Sequence, residues 1–512
     1  MVQAVVELGG RSRRALEAGL ELLDRRVWLI PAALFGLNLL LKLHDVTRQS
    51  IWVDEATTMF VAQQPIDVRH ALANDATPPV YYLLISLWMR LFGVSALVAR
   101  SLSALLSSLS AALIFLDGSR FIGRRAGLIA ALLFSVSTIH FYYAQEARCY
   151  ALVSFLCLAS FYCFARLLDA PSGGRALLLT LLNAGLVYTH YVAGWAIAAQ
   201  LAAALLLLPR SRPALPLLLA SLAGVLLLFA PWLDLVYRSW PLPRSDWLAR
   251  PDLSQVRYVL KSFAGSSLIL LVELLLIAAC LWRTGAPDIR LRRAAREDPQ
   301  LPILLLWAFL PIGLDFVVSW FVPMFLHRYL LYASLGLLLL VAHAAAVVPA
   351  TAEGKDLVAA CLIGLSAANL VLDPIERPDW RKAVEIVKQE EIPGTRVAVV
   401  PREQYRPFAY YYDLESFRDY RHTVARLARA GVVSGNGLRH LAEQGKTAAR
   451  IVFVVAGTAR RDLLQRVDEA VAPRFERVRV VELPGITLVQ CDRSAAHAAA
   501  PGAQLPTPGR AS

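Results

Sequence analysis

The sequence predicts a polytopic α-helical membrane protein that carries a small α/β domain towards its C-terminal end. Of the 512 residues, 57% are hydrophobic and only 18% are charged, and the mean hydropathy is +0.51. Soluble domains are roughly 45–50% apolar and about 25% charged. The apolar excess lies in repeated long runs up to residue 373, beyond which the composition is that of a soluble domain.

These runs predict about eleven transmembrane helices, since a helix needs about 20 mostly apolar residues to cross a bilayer. They lie at 27–44, 96–116, 126–141, 150–168, 176–190, 192–208, 214–233, 264–282, 302–321, 329–348 and 356–373. Several are shorter than 20 residues, which fits a packed bundle. The transmembrane domain is therefore predicted to span residues 27–373.

Arginine clusters in alternate loops predict the orientation. They lie before residue 27 and near 120–125, 166–175, 210–212 and 283–296. Because short basic loops face the cytoplasm, residues 1–26 are predicted to be cytoplasmic and 27–41 to form a retained signal anchor. This orientation also explains the net charge of +13 without nucleic acid as a partner. The loop 234–262 is basic on the opposite side, where three aspartates partly offset it.

The first outer loop, residues 45–95, contains the segment "PPVYYLLISLWMRLFG" at 78–93. This segment is apolar but too short to cross the membrane comfortably, and it carries Arg90. We expect an interfacial helix that starts after Pro79, because proline fixes the backbone where a helix begins.

Residues 374–493 predict a small α/β domain. Strands are expected at 395–400, 450–457 and 478–483, and helices near 380–388 and 460–475, from their apolar periodicity. With eleven spans and a cytoplasmic N-terminus, this domain is predicted to lie on the outer side of the membrane. Residues 494–512 are rich in Ala, Pro and Gly and are predicted to be a disordered tail.

Asp54 and Glu55 stand side by side in "IWVDEATTM", shortly after the first apolar run. One interpretation is that an acid begins a helix and stabilises its exposed amides. The other is chemical: two adjacent carboxylates repel, so that one takes up a proton more readily and can act as a general base.

Three more polar clusters fall on the same predicted outer side. They contain Gln145, Glu146 and Arg148; His327, Arg328 and Tyr329; and His190 and Tyr191. Aromatic anchoring at the interface and snorkelling of arginine are alternative explanations for each cluster taken alone. Together they predict a site for an anionic, partly lipidic substrate, because arginine offers a planar fork of donors for phosphate.

No motif for a soluble nucleotide occurs, since GxxxxGK[ST], a GxGxxG after a strand and a DxD pair are all missing. The six cysteines show no CxxC spacing, so a zinc site or a disulfide framework is not predicted. No cofactor is required by any motif. Asp54, Glu55 and His190 could support a divalent cation, although no spacing demands one.

The motifs "WVDEATT", "ATPPVYYLLISLWMRLFG", "YYAQEARCYAL" and "HRYLLY" resemble those of bacterial membrane glycosyltransferases with the GT-C fold. These are relatives of the protein O-mannosyltransferases and of the lipid A aminoarabinose transferase. The resemblance covers roughly residues 27–350, and "PDWR" at 378–381 is typical of one bacterial branch. It departs at Thr77, where many relatives have histidine.

The resemblance implies transfer of a sugar from a polyprenyl-phosphate donor on the periplasmic side of the bacterial inner membrane. It implies that Asp54 is the catalytic base, that Glu55 helps to place substrate, and that Arg148 and Arg328 lie near the donor phosphate, with His327 beside them. Gln145, Glu146, His190, Tyr191 and Tyr329 are further candidate substrate contacts. The acceptor is expected to be a lipid, a glycan or a protein.

Two other functions fit parts of the sequence. A transporter or flippase for lipid-linked sugars also has many spans and charged groups at membrane depth, but no internal repeat of the kind many transporters show is evident. A non-catalytic assembly scaffold would tolerate loss of Asp54 and Arg148.

Overall fold

The computed structural model describes residues 28–64, 78–238, 250–283, 300–372, 376–457, 460–472 and 474–494. The predicted cytoplasmic segment 1–26 and all but the first residue of the predicted tail 494–512 lie outside these residues. The chain divides into two compact units. We call Met1–Val46 with Ile66–Ile375 the helical unit, and Thr47–Pro65 with Glu376–Ser512 the α/β unit.

The described part of the helical unit is built from helices. These are α1 (Leu29–Leu43), α3 (Val80–Phe92), α4 (Ala96–Phe121), α5 (Arg124–Val136), α6 (Thr138–Ala144), α7 (Tyr150–Asp169), α8 (Gly173–Val187), α9 (Gly194–Leu206), α10 (Leu208–Ser211), α11 (Leu215–Arg238), α12 (Leu253–Ala264), α13 (Ser267–Arg283), α14 (Gln300–Val318), α15 (Ala333–Val347) and α16 (Ala352–Leu372). A 3-10 turn at Tyr191–Ala193 precedes α9.

Four described segments are long and apolar enough to cross a membrane: α4, α7, α14 and residues Leu215–Asp234 of α11. Two bent pairs raise this number to six if each pair is one span: α5 with α6, bent by 62°, and α12 with α13, bent by 90°. The sharper bend falls at Gly265, whose φ of 95° suits glycine. The protein is thus a membrane protein, as predicted. The described residues also contain five shorter apolar helices, and the number of eleven spans stays a prediction.

Helix α3 begins at Val80, directly after Pro79, as predicted. It is amphipathic: Tyr81 and Ile85 are buried on one face, whereas Leu83, Leu87 and Leu91 are exposed on the other. The backbone amide of Val80 donates to the carbonyl of Tyr188 at 3.1 Å, which ties the start of α3 to the end of α8. A face of exposed leucines is what an interfacial helix needs.

Close backbone approach holds α4 against α5. A Cβ atom placed on Gly118 would lie only 2.4 Å from the Cα of Gly127, and one placed on Gly127 would lie 2.6 Å from the backbone nitrogen of Ser119. Small residues at a helix crossing allow this approach, which increases van der Waals contact inside a membrane bundle.

Three buried polar side chains in the bundle satisfy one another. The Ser160 hydroxyl donates to the Asn183 side-chain oxygen at 2.5 Å, the Asn183 amide donates to Gln200 at 3.0 Å, and the Gln200 amide donates back to Ser160 at 2.7 Å. This closed ring of hydrogen bonds joins α7, α8 and α9. Because apolar surroundings make an unpaired polar group costly, a ring that satisfies its members also specifies how these helices pack.

The α/β unit contains a five-stranded sheet with the order β2-β1-β3-β5-β4. Its strands are β1 (Thr395–Val400), β2 (Val432–Ser434), β3 (Arg450–Ala456), β4 (Phe475–Leu483) and β5 (Ile486–Arg493). Strands β2, β1 and β3 are parallel, whereas β5 pairs antiparallel with both β3 and β4. The predicted strands correspond to β1, β3 and β4. Strand β5 was not predicted; it returns from β4 through the turn at Pro484 and Gly485, whose φ is 64°.

The described helices of this unit are α2 (Val53–Ala62), α17 (Trp380–Gln389), α18 (Tyr405–Tyr412), α19 (Leu414–Arg418), α20 (Thr423–Arg429), α21 (Leu438–Gln444) and α22 (Arg460–Val471). Helix α2 lies in sequence between two apolar helices, yet it packs within the α/β unit. Phe60 of α2 contacts the rings of Tyr405 and Phe417 edge-on, at centroid distances of 6.0 and 5.9 Å. Helix α17 follows the predicted periodicity, with Trp380 and Val384 buried.

We expect Gly127→Ala to destabilise the protein by about 1–3 kcal/mol, because the added methyl group meets only backbone atoms, which move little. Gly313→Ala in α14 is the matched control, since no atom lies within 4 Å of the added Cβ. There the change should be neutral or slightly stabilising. Thermal unfolding in detergent measures both, and equal midpoints for the two variants would contradict the close crossing of α4 and α5.

Candidate active site

The acid pair lies at the start of α2. The residue at the N-cap position is Trp52, which makes no side-chain capping bond, so Asp54 and Glu55 both stand in the first turn of the helix. A carboxylate there still benefits from the helix dipole. The two acids differ in exposure, because Glu55 is fully buried whereas Asp54 is partly exposed.

Glu55 is held by a residue that the sequence analysis did not identify. One guanidinium nitrogen of Arg377, Nη1, lies 3.6 Å from Glu55 Oε2, and both side chains are almost completely buried. Separating such a pair would leave a buried charge uncompensated, so it fixes the start of α2 firmly. Asp54 is then the more accessible acid of the two.

The "PDWR" motif at 378–381 ties down the segment that leads into α2. Asp379 caps α17 by accepting from the amide of Lys382, and it also accepts from the Ser50 hydroxyl at 2.9 Å. The Arg381 guanidinium donates to the carbonyl of Thr47 at 2.8 Å. The charged motif directly after the last apolar run was the signal that could have led to Arg377.

In the helical unit, the clusters around 143–150, 190 and 327–329 come together. The hydroxyl of Tyr143 lies 3.1 Å from Nε2 of His327, and its ring lies 4.8 Å from that of Tyr150. The rings of His190 and Tyr329 lie 4.7 Å apart. Residues from three distant parts of the sequence therefore form one aromatic cluster.

Two arginines bring positive charge to this cluster. The positive charges of Arg148 and Arg328 both act on the Tyr150 hydroxyl. The Tyr143 hydroxyl is subject to the negative charge of Glu146 and to the positive charge of Arg328. The guanidinium of Arg328 lies 5.6 Å from the centroid of the Tyr329 ring, within the range of a cation–π contact. The predicted residues Glu146, Arg148, His190, His327, Arg328 and Tyr329 are thus gathered around Tyr143 and Tyr150.

His327 lies in the connection between α14 and α15. Its burial, reinforced by the positive charge of Arg328, lowers its pKa from 6.5 to about 4. The imidazole is therefore neutral at pH 7, and it offers one donor and one acceptor, not a second positive charge. The Arg148 and Arg328 guanidinium groups carry the positive charge that could hold an anion.

Gln145 and Tyr191, also predicted as substrate contacts, make hydrogen bonds that join helices. The Gln145 amide donates to the backbone carbonyls of Lys42 at 3.1 Å and His44 at 2.9 Å, at the end of α1. The Tyr191 hydroxyl accepts from the indole of Trp232 in α11 at 2.8 Å. These bonds give both residues a structural role in addition to any contact with substrate.

The residues considered for a divalent cation do not form a set of metal ligands in the described part of the chain. Within the described ranges, no group of three or more His, Cys, Asp or Glu side chains has the geometry to hold a metal ion. Of the three residues considered for a divalent cation, Asp54 and Glu55 belong to the α/β unit and His190 to the helical unit. A cation bound by these residues stays a prediction.

Comparison with known proteins adds a family model and a fold. Residues 76–234 match the model of the family described as dolichyl-phosphate-mannose-protein mannosyltransferase. No curated protein matches the sequence. The family match includes α3 and the segment around Arg148, two of the four motifs on which the resemblance was based.

Several solved structures are similar to this chain. The crystal structure of ArnT from Cupriavidus metallidurans bound to undecaprenyl phosphate is 13% identical, with a TM-score of 0.56 over 90% of this chain and 97% of that one. The apo state of ArnT is 14% identical, with a TM-score of 0.56 and coverage of 91% and 98%. The apo oligosaccharyltransferase of Archaeoglobus fulgidus is 11% identical, with a TM-score of 0.50 and coverage of 83% and 70%.

At such low identity these likenesses concern the fold. The match with ArnT extends over nearly the whole of both chains. The resemblance predicted from the four motifs is confirmed: this chain has the GT-C fold, and its residues 76–234 fit the dolichyl-phosphate-mannose-protein mannosyltransferase model.

Proposed function

We propose that this protein transfers a sugar from a polyprenyl-phosphate donor to an acceptor in the cell envelope. The observation that carries the proposal is the gathering of Arg148 and Arg328, with the neutral His327, around Tyr143 and Tyr150. Two partly buried guanidinium groups among tyrosine hydroxyls suit a lipid-linked phosphate better than a neutral ligand. The ArnT structure with the same fold is bound to undecaprenyl phosphate, which supports this choice of donor.

The arginines would act on the leaving group. As the bond between the anomeric carbon and the phosphate oxygen breaks, negative charge grows on the polyprenyl phosphate. Arg148 and Arg328 would stabilise that charge where it develops, which lowers the barrier. His327 is neutral at pH 7, so it would hold the Tyr143 hydroxyl in place without adding a positive charge.

Asp54 is the proposed general base. It would take the proton from an acceptor hydroxyl while the oxygen attacks the anomeric carbon from the side opposite the phosphate. A single displacement of this kind inverts the anomeric configuration and needs no covalent intermediate. Glu55, held by Arg377, would position Asp54 by fixing the first turn of α2.

The protein is proposed to lie in the bacterial inner membrane, with its N-terminus in the cytoplasm and the α/β unit in the periplasm. The matched family model describes a mannosyltransferase and one similar structure is an oligosaccharyltransferase, which favours transfer over the flippase alternative. The proposed acceptor is a lipid, a glycan or a protein.

Replacing Asp54 by Asn should slow sugar transfer by about 10²- to 10⁴-fold, because an amide cannot accept the acceptor proton. Release of polyprenyl phosphate from donor lipids, extracted from cells that express the protein, measures the rate. Asp45→Asn is the matched control: its side chain is 62% exposed, and Asn readily adopts its φ of 51°. Wild-type transfer by Asp54→Asn would show that Asp54 is not the base.

Replacing Arg328 by Gln should lower kcat by about 10²- to 10³-fold, since one group that stabilises the leaving phosphate is lost. Arg90→Gln, which removes an exposed arginine from α3, should leave kcat unchanged. The same polyprenyl-phosphate release assay serves for both variants. An unchanged kcat for Arg328→Gln would remove this residue from the proposed donor site.

Stability should depend on the protonation of His327. Its folded pKa of about 4 is lower than its ordinary 6.5, so the folded protein binds fewer protons than the unfolded chain between these values. The contribution of neutral His327 to the free energy of unfolding is therefore fully present above pH 6.5, and it is lost as the pH drops towards 4. From pH 7 to pH 5, the wild type should lose about 1–2 kcal/mol more than His327→Gln. Denaturant unfolding in detergent measures this difference, and parallel pH profiles would argue against a neutral buried His327.

A further inference from the structure

A cavity of about 450 Å³ opens in the α/β unit beside the edge strand β2. This volume lies in the range of about 300–1,000 Å³ that is typical of small-molecule sites. Its walls come from the turn after β1, from the start of α18, from β2 and the turn that follows it, and from helices α20 and α21. In α/β folds, the carboxyl ends of parallel strands are the usual place for a ligand, and β1 and β2 are parallel.

The rim of the cavity is held in place by hydrogen bonds between the two turns. The backbone amide of Arg402, just after β1, donates to the side-chain oxygen of Asn436 at 2.8 Å. The amide of Gly435, just after β2, donates to the carbonyl of Val399 at 3.2 Å. A site fixed in this way loses little conformational entropy when a ligand binds.

The lining combines apolar and hydrogen-bonding groups. Val424 and Tyr405 offer carbon surface, while Ser434, Asn436 and Gln444 offer a hydroxyl and two side-chain amides. A sugar ring presents the same mixture, with C–H groups on its faces and hydroxyl groups around its edge. Among the described lining residues, Arg402 is the only charged one, and its side chain is exposed. An isolated guanidinium favours a ligand that carries a negative charge.

The cavity wall is packed against the helix that carries the acid pair. Tyr405, the first residue of α18, contacts Phe60 of α2 edge-on, and the Arg406 guanidinium donates to the Thr57 hydroxyl at 3.1 Å. Phe60 follows Asp54 by six residues, or about 9 Å along the helix. Helix α18, which lines the cavity, thus packs directly against helix α2, which carries the proposed base.

We infer that this cavity binds an acidic carbohydrate, and that this carbohydrate is the acceptor or a neighbouring part of the acceptor chain. The role as acceptor rests on the proposed glycosyl transfer, whereas the binding itself does not. Arg402 contacts the acidic group, the amides of Asn436 and Gln444 contact hydroxyl groups, and Tyr405 with Val424 supports the ring.

The test is isothermal titration calorimetry on the full-length protein in detergent micelles, with no donor present. The probe is a tetrasaccharide of alternating glucuronic acid and N-acetylglucosamine, and the comparison is the neutral tetrasaccharide of N-acetylglucosamine. We expect the acidic sugar to bind about tenfold more tightly than the neutral one, and Arg402→Gln to remove this preference. Arg429→Gln, an exposed arginine of α20 outside the lining, should bind as the wild type does.

A second variant, Ala428→Trp, places a large side chain in the cavity and should abolish binding of both sugars. The inference is overturned if neither sugar binds, if Ala428→Trp binds as well as the wild type, or if Arg429→Gln weakens binding as much as Arg402→Gln. Because the assay contains no donor, these outcomes are independent of sugar transfer. If the acidic sugar binds but Asp54→Asn still transfers sugar at the wild-type rate, the proposed base is refuted and the binding inference stands.

Discussion

The buried ion pair between Glu55 and Arg377 holds helix α2, which carries both acids, in its place within the α/β unit. The arrangement of the rest of the unit around this helix depends on that pair. A carboxylate and a guanidinium that are both almost fully buried must remain paired, because either one alone would carry a large desolvation cost. The pair joins a segment near the start of the chain to the segment that enters the sheet. With Ser50, Asp379 and Arg381 it sets where α2 begins, and therefore which of its acids is accessible.

This pairing also explains why two adjacent carboxylates can have different roles. Two acids in the same environment would compete for one proton. Here Glu55 is occupied by a buried cation, whereas Asp54 is partly exposed, so their chemistry is separated by environment and not by sequence. A helix that holds Asp54 rigidly is what a proposed general base requires, since proton transfer depends on distance before it depends on pKa.

The helical unit treats charge in a similar way. Arg148 and Arg328 are partly buried among tyrosine rings. Because these rings limit the solvent around the two guanidinium groups, the guanidinium charges are screened less than they would be in water. His327 stays neutral beside them because burial and a neighbouring positive charge both oppose its protonation. The cluster therefore combines positive charge with neutral hydroxyl and imidazole groups, as the proposed site for a lipid phosphate requires.

Local patterns in the sequence determined the apolar runs, the start of α3 after Pro79, the strands β1, β3 and β4, and the residues worth weighing as a site, because charged groups are scarce in this chain. Only the tertiary structure decided that Arg377 pairs with Glu55, that α2 packs within the α/β unit, that Gln145 and Tyr191 join helices, and that β2 and β5 complete the sheet. The physical reason is that helix and strand periodicity depend on neighbours a few residues away. Ion pairs, strand order and cavities depend on residues that only folding brings together.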